Sequence, residues 1–415
     1  AGIAGPTLAY WLLQYGMNPT IVEQAPALRT GGYVIDFWGA GFDIAERMGL
    51  SGEIKDSGYQ MREVRIVNER GEKVAGFPAA AFARATRGRF TSLPRGDLAS
   101  AIFRRVQGHA GTIFGDSISS IEQSETAVHV TFNSGRERDF DLVVGADGLH
   151  SRVRELVFGR QEQFEKYLGY KVAAFEAPGY EPRDELTYVM YTQVGQQVGR
   201  FSLRGNSTMA LFIFEDRFFG SRQPDDIEVN KAILRERFGR SGWECPQILD
   251  ALGRTKELYF DRVSQIRMNS RQGLWTQGRV TLLGDAAFCV SLLAGQGSAL
   301  AMVAAYILAG ELHRSKGNFA EAFSRYQRLF APFVAKKQNA ALRFAGSFAP
   351  HSRLSLILRN QIMNLMRIPW IADLAIGRGF SDKIVVPEYE REASADTLRQ
   401  SGNVSQRKAA QNRVR

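Results

Sequence analysis

The chain has 415 residues, 44% hydrophobic and 23% charged, an ordinary globular composition with length for two or three domains of about 100–200 residues. Two distant cysteines, Cys245 and Cys289, and five histidines without ligand spacing exclude a disulfide framework and a metal centre, and fit a reducing cytoplasm; no apolar run has the length of a membrane span and no signal peptide is visible. The net charge of +10 accompanies no basic-aromatic nucleic-acid module, so the basic surface is read as an attraction for anionic cofactors and substrates.

In chain order, Ala1-Gly2-Ile3-Ala4-Gly5-Pro6 reads as the second and third glycines of a Gly-x-Gly-x-x-Gly turn, so a short strand of the native gene product is expected ahead of Ala1. A helix over Leu8–Tyr15 ends near Gly16, and Thr20–Glu23 is a buried strand. Glu23 lies about 20 residues past the turn, where a dinucleotide-binding fold holds a ribose with an acid; a surface glutamate is the plainer alternative. Arg29 to Asp36 reads as a glycine-bearing loop, a helix follows through Ile44–Leu50, and Val64–Phe77 is a hairpin turning at Gly71. Ser92–Leu98 leads into a helix with Asp97 near its start. Val128–Phe132 and Arg138–Val144 form a second hairpin, which runs into Asp147-Gly148.

From 164 to 266 the nucleotide-type turns stop and alternating segments predict antiparallel strands, such as Leu186–Tyr191, Arg200–Arg204 and Met209–Phe214. This is the expected substrate domain, inserted between two halves of the cofactor domain. Val280–Leu283 is then a buried strand leading to Gly284-Asp285, a loop of small residues, Gly295-Gln296-Gly297, and a helix over Ser298–His313. A carboxylate just past a strand end suits a ribose hydroxyl, and a glycine loop entering a helix offers backbone N–H groups and a positive dipole. Another helix is predicted over Phe319–Gln338. Leu354–Leu374 is strongly apolar but interrupted by Arg359, Arg367 and Pro369; it suits a membrane surface or, more commonly, packing across two domains. Residues 391–415 are poor in apolar positions and are expected to be disordered.

Three cofactor-type turns in the order glycine turn, Asp-Gly, Gly-Asp resemble the single-component FAD-dependent aromatic hydroxylases, the p-hydroxybenzoate hydroxylase-like flavoprotein monooxygenases, and within them the tetracycline-inactivating branch. The resemblance spans roughly 1–390. It implies an α/β fold: a three-layer, Rossmann-like FAD-binding domain from 1–163 and 267–345, an inserted antiparallel-sheet substrate domain at 164–266, and C-terminal helices within 346–390. It implies FAD contacts for Gly2, Gly5, Glu23, Arg29, Arg95, Asp147, Gly148, Asp285, Gly295, Gln296 and Gly297. For Arg95, an ion pair with Asp97 is the alternative; for Arg152 and Arg154, assistance to a nucleotide and a plain helix surface stay equally open. The chain departs from the family at Phe288, where many members carry His or Tyr, and near Val290 and Leu292, where prolines are absent, which makes the loop less rigid than theirs.

The activity implied is NADPH- or NADH-consuming hydroxylation of an aromatic or polyketide-like small molecule through a flavin C4a-hydroperoxide, the oxidising power lying in the cofactor; no separate catalytic residue is assigned. Aromatic residues proposed for the substrate are Tyr33, Phe37, Tyr191, Phe201 and Phe212, although aromatic rows at period two are usually sheet core. A flavin-dependent reductase of a prenyl-type substrate and a non-catalytic FAD-binding protein are the competing readings. No integral membrane association is expected, and monomer and homodimer stay open.

Overall fold

The computed structural model describes residues 1–28, 33–86, 88–181, 183–216, 226–268, 274–373 and 384–389; Arg29 and the tail 391–415 lie outside the described residues. The first helix, Ala4–Gln14, starts directly on the glycine turn, where Thr7 Oγ1 donates to the Ile3 carbonyl at 2.7 Å. It stops where Gly16 takes φ +76°, a left-handed conformation that favours glycine. Leu8 and Trp11 are buried, and the helix packs on the long helix Gly297–Arg314, so the first and last cofactor motifs are drawn together across most of the sequence.

The nucleotide half is built from short strands. Thr20–Glu23 pairs in parallel with Gly111–Phe114, and Val143–Gly145 with Val280–Leu282. Among the described residues each of Thr20–Glu23 and Val143–Gly145 pairs on one side only. Ile118–Gln123, Val128–Phe132 and Glu137–Phe140 form a three-stranded antiparallel sheet. The segment expected as one strand over Arg138–Val144 is therefore two elements, the second already part of the parallel pairing. Val34–Trp38 is also a strand and not a loop, antiparallel to Phe90–Pro94; Ile35 and Phe37 alternate into the core, which suits a pleated segment with one buried face.

The substrate half is a seven-stranded sheet in the order Tyr259–Ile266, Glu165–Pro178, Ser207–Glu215, Gln196–Leu203, Thr187–Gln193, Glu63–Val67, Lys73–Pro78. Its last two strands are the hairpin at Gly71, recruited from within the 1–163 span by parallel pairing of Glu63–Val67 with Thr187–Gln193. Side-chain alternation gives the sheet two unlike faces. Tyr191, Val198, Phe212 and Phe214 pack under the helices Ile227–Phe238 and Cys245–Arg254 in one apolar core. Tyr188, Phe201, Leu211 and Ile213 point the other way, toward the nucleotide half: the Tyr188 hydroxyl reaches Asp36 at 3.4 Å, Phe201 packs edge-on to Tyr59, and Ile213 and Leu211 cluster with Leu292 and Leu293.

The C-terminal part closes over the long helix. Tyr306 donates to the Pro387 carbonyl at 2.9 Å and Tyr389 to Glu311 at 2.5 Å. Gly310 leaves room for the Tyr389 ring, which a Cβ there would meet at 2.2 Å.

Candidate active site

A large open cavity runs along the nucleotide half and between the two halves. Gly2, Gly5, Glu23, Tyr33, Arg95, Asp147, Gly148, Asp285, Gly295 and Gly297 all line it, so the structure brings together most of the residues singled out in the sequence. Gln296 sits instead at a small neighbouring void with Trp38 and Gly41, its carbonyl taking the Leu300 N–H at 3.0 Å as the long helix begins.

At one end, Glu23 Oε1 accepts the Ala25 N–H at 2.8 Å. Arg95 opens the helix Arg95–Arg104 and donates its N–H to the Tyr33 carbonyl at 3.0 Å. Its guanidinium lies against the glycine turn, 3.2 Å from where a Cβ on Gly2 would stand. Arg95 faces the cavity: its charge is felt by Tyr33 and Asp285, whereas the cations that act on Asp97 are Arg204 and Arg104. The alternative of a plain Arg95–Asp97 ion pair is thereby set aside.

At the other end, Asp285 follows Gly284, whose φ of +66° turns the chain off the buried strand. Burial pushes the Asp285 carboxyl up, with Arg95 and a hydrogen bond from Cys289 pulling it partly back. Its Oδ1 would be 3.6 Å from a Cβ on Gly297, so the carboxylate and the first turn of the long helix share one corner. Tyr33 and Tyr259 pack there with ring centroids 5.1 Å apart and their planes tilted by 49°. Burial raises the Tyr33 hydroxyl to about 12 and Tyr259 well above its ordinary value, so both stay protonated and can donate hydrogen bonds into the cavity.

The loop that carries Gly295 lacks prolines, yet it is braced by residues the sequence did not single out. Gln265 Nε2 donates to the Val290 carbonyl at 2.8 Å and to Gln338 at 2.9 Å; Gln338 Nε2 donates to Ile266 at 2.7 Å and Cys289 at 3.2 Å. Both glutamines are buried. A buried glutamine that left its amide unpaired would cost roughly 1–3 kcal/mol, so the two bonds that reach Cys289 and Val290 brace the start of the loop where prolines do not, and the other two anchor the glutamines themselves. Ser291 holds the turn at φ +132° and its Oγ accepts the Leu293 N–H.

Asp147 has a structural use. Oδ1 accepts from Ser151 Oγ at 2.5 Å and Oδ2 from the Val153 N–H at 3.0 Å, capping the helix Arg152–Val157. Gly148, with φ +84°, follows Asp147 on the cavity wall. Arg154 is neither a nucleotide contact nor a surface residue: it is fully buried and donates to the carbonyls of Ala286 at 2.9 Å and Leu149 at 2.7 Å, and to Gln161 at 3.1 Å. Arg152 is exposed and pairs with Glu155.

Of the aromatic residues proposed for the substrate, Tyr33 alone is on the cavity wall. Phe37 is fully buried in the nucleotide-half core, and Tyr191 and Phe212 belong to the core under the helices, on the sheet face turned away from the cavity. Phe201 has the right face but is wedged between Tyr59 and Tyr188. The wall that faces Asp285 is instead made by Tyr259, Asp261, Arg262, Ser264 and Leu292, which a one-dimensional alternation cannot order in depth.

His150, just after Asp147-Gly148, reaches across to the sheet: Nε2 lies 3.3 Å from both oxygens of Asp261. This hydrogen bond raises the imidazole above its ordinary 6.5. The sign follows: the stability contributed by the pair is full below about pH 6.5 and is lost as pH rises through the higher folded value. Urea midpoints measured across that interval are expected to fall in the wild type, and the slope to lessen in Asp261→Asn; an unchanged slope would rule out the pair as a source.

The donor set fits FAD. Carboxylates at the two ends suit sugar hydroxyls, the glycine turn at the N-terminus of the first helix suits a pyrophosphate, and the Arg95 cation lies between them. A model of the FAD binding domain family matches residues 1–317. A flavin-dependent monooxygenase from an unknown prokaryotic organism is 34% identical over 94% of this chain and 97% of its own. The crystal structure of tetracycline destructase Tet(51) is 32% identical, covers 94% of this chain and 98% of its own, and superposes with a TM-score of 0.77. Klebsiella pneumoniae HpxO, solved with FAD and uric acid, shares the fold at 20% identity, 91% and 95% coverage and a TM-score of 0.74.

Proposed function

Because the chain belongs to the FAD-binding-domain family and is a flavin-dependent monooxygenase, we propose that it consumes NADPH or NADH and hydroxylates an aromatic or polyketide-like small molecule. The overall reaction balances as substrate, dioxygen, NAD(P)H and a proton giving hydroxylated substrate, water and NAD(P)⁺. The observation that carries this reading is the corner where Asp285, the first turn at Gly297 and the Tyr33–Tyr259 pair meet beside the sheet.

Glu23 and Asp285 would hold the sugar hydroxyls of FAD, the backbone of Gly2 and Gly5 its phosphates, Arg95 its middle, and the turn 295–297 the edge of its ring. When bound, FAD supplies hydride acceptance from the nicotinamide and activation of dioxygen. The N-terminus of Gly297–Arg314 presents unpaired N–H groups and the positive end of its dipole, which favours negative charge beside it. The two tyrosines keep their protons and orient polar atoms of a substrate. Leu292 and the ring faces exclude water from the corner, which strengthens each of these interactions. His150, hydrogen-bonded to Asp261, which favours its protonated form, lies two residues beyond Gly148 where an anionic nucleotide would enter. The buried, unpaired Cys245 and Cys289 suit a reducing cytoplasm.

A tetracycline-like polycyclic phenol is the first substrate class to try, a suggestion that rests on the name of a relative 32% identical. The test is NAD(P)H oxidation stimulated by a panel of phenols and tetracyclines, with ¹⁸O₂ supplied. Label in the product supports the proposal. Reduced product without label favours the reductase, and bound FAD with no turnover on any member favours a non-catalytic flavoprotein.

A further inference from the structure

The helix Arg353–Leu365 is amphipathic with its apolar side turned outward. It rests on the strand Lys73–Pro78, where Asn364 Nδ2 donates to the Val74 carbonyl at 3.3 Å. Leu356, Arg359, Asn360 and Met363 are on the half-buried side. Leu354, Ile357, Leu358, Ile362 and Leu365 project to solvent, with Leu354 76% exposed. At about 100° per residue these five fall on one face, which also carries the exposed Gln361, on the wrong side for packing. Trp370, 68% exposed, follows it in the chain.

The charge of the segment is one-sided. Between residues 352 and 372 there are three arginines and no Asp or Glu; His351 just before is paired with Glu215, and Asp373 just after with Arg84. Arg353 borders the stripe on its Ile357 edge and Arg367 follows the helix; both are exposed. Arg359 is half-buried beside it, with Nε and Nη2 making no hydrogen bond. A second copy of this surface would bring like charges together, whereas a lipid surface carrying phosphate headgroups would meet them with opposite charge. An exposed apolar stripe, basic flanks and a tryptophan are the pattern of a helix that lies in the plane of a membrane interface. Among the described residues no helix is long and apolar enough to cross one.

We propose that the outward face of Arg353–Leu365, with Trp370, is a docking surface for an anionic lipid bilayer, by which the protein binds peripherally. The proposal stands apart from the assigned reaction, since it uses none of the residues that line the cavity.

The test is flotation of the full-length, flavin-loaded protein with vesicles of phosphatidylcholine, with and without phosphatidylglycerol, at low and high salt. Binding is expected on the anionic vesicles and not on phosphatidylcholine alone, and it should weaken as salt screens the arginines. The double substitution Ile357→Glu with Ile362→Glu should abolish it. Arg353→Ser with Arg367→Ser should lower the partition coefficient roughly thirty-fold. All four positions are exposed, so the flavin absorbance and thermal midpoint should match the wild type and exclude misfolding. The proposal is overturned if the protein stays unbound with phosphatidylglycerol vesicles, or if neither double variant alters binding. It is equally overturned if light scattering finds a dimer that the Ile→Glu pair splits, since a second copy then owns the stripe.

Discussion

Replacing Gly41 by alanine is expected to unseat the helix that carries the cofactor-facing turn. The added Cβ would stand 2.4 Å from Ala299 Cα and 2.5 Å from its Cβ, where contacts below 3 Å do not occur and neither atom can rotate away. The helices Ala40–Arg47 and Gly297–Arg314 pack together at this point, two residues beyond Gly297. They must part by about 1 Å. Overpacking of this kind costs up to about 3 kcal/mol, and a displacement of that size at a reacting centre lowers turnover by about a hundredfold. Thermal unfolding and steady-state turnover would check both. Gly52→Ala is the control: it lies in the helix Ser51–Ser57 with open space around it, so the same change should be neutral or stabilising by about 0.5 kcal/mol. Equal behaviour of the two variants would contradict the packing argument.

The second large effect is expected at Arg154. Its guanidinium ties the Asp-Gly segment, through the Leu149 carbonyl, to the Gly-Asp segment, through the Ala286 carbonyl. Arg154→Met keeps the volume but strands both carbonyls in a buried position. With hydrogen bonds to a charged donor contributing about 1.5–3 kcal/mol each, the loss should approach 4 kcal/mol. The two segments flank the cavity, so flavin should dissociate before the chain unfolds. Arg154→Lys should recover only part of the loss, because an ammonium cannot span two carbonyls held in a fork. The measurement is urea unfolding followed in parallel by flavin fluorescence and far-UV circular dichroism; coincident wild-type-like curves for Arg154→Met would refute the role.

The physical reason some of this was legible in the sequence is that cofactor turns are local. Gly2, Gly5, Asp285 and Gly297 announce themselves by small residues beside apolar strands and helix starts, and their spacing is set by chain geometry over a few residues. Glu23 is legible by its distance from the turn. What escaped prediction depends on partners far away in the chain. The bond from Arg154 to Ala286 spans 132 residues, and an arginine in a helix start gives no sign that it is buried. Gly41 looked like any helix glycine until Ala299 was placed against it. Gln265 and Gln338 carry no motif, and their use is to complete the carbonyls of a loop lacking its prolines. Tyr191 and Phe212 against Tyr188 and Phe201 illustrate another limit. Period-two alternation separates the faces of a strand but does not say which face meets the helices, and that depends on the register of seven strands. The hairpin at Gly71 forms as its sequence predicts, yet it pairs into the sheet of the substrate half, because strand pairing ignores distance along the chain.

The central claim is that one FAD lies along the cavity from Glu23 to the turn at Gly297, with Asp285 gripping it. Its most direct test is titration of the flavin-stripped, full-length protein with FAD, read by quenching of flavin fluorescence, for the wild type and for Asp285→Ala. The wild type should take up one equivalent, and Asp285→Ala should bind roughly tenfold to a hundredfold more weakly, the value of a hydrogen bond to a charged group. A wild-type protein that leaves FAD free in solution, or an Asp285→Ala variant that binds it as tightly as the wild type, would contradict this assignment.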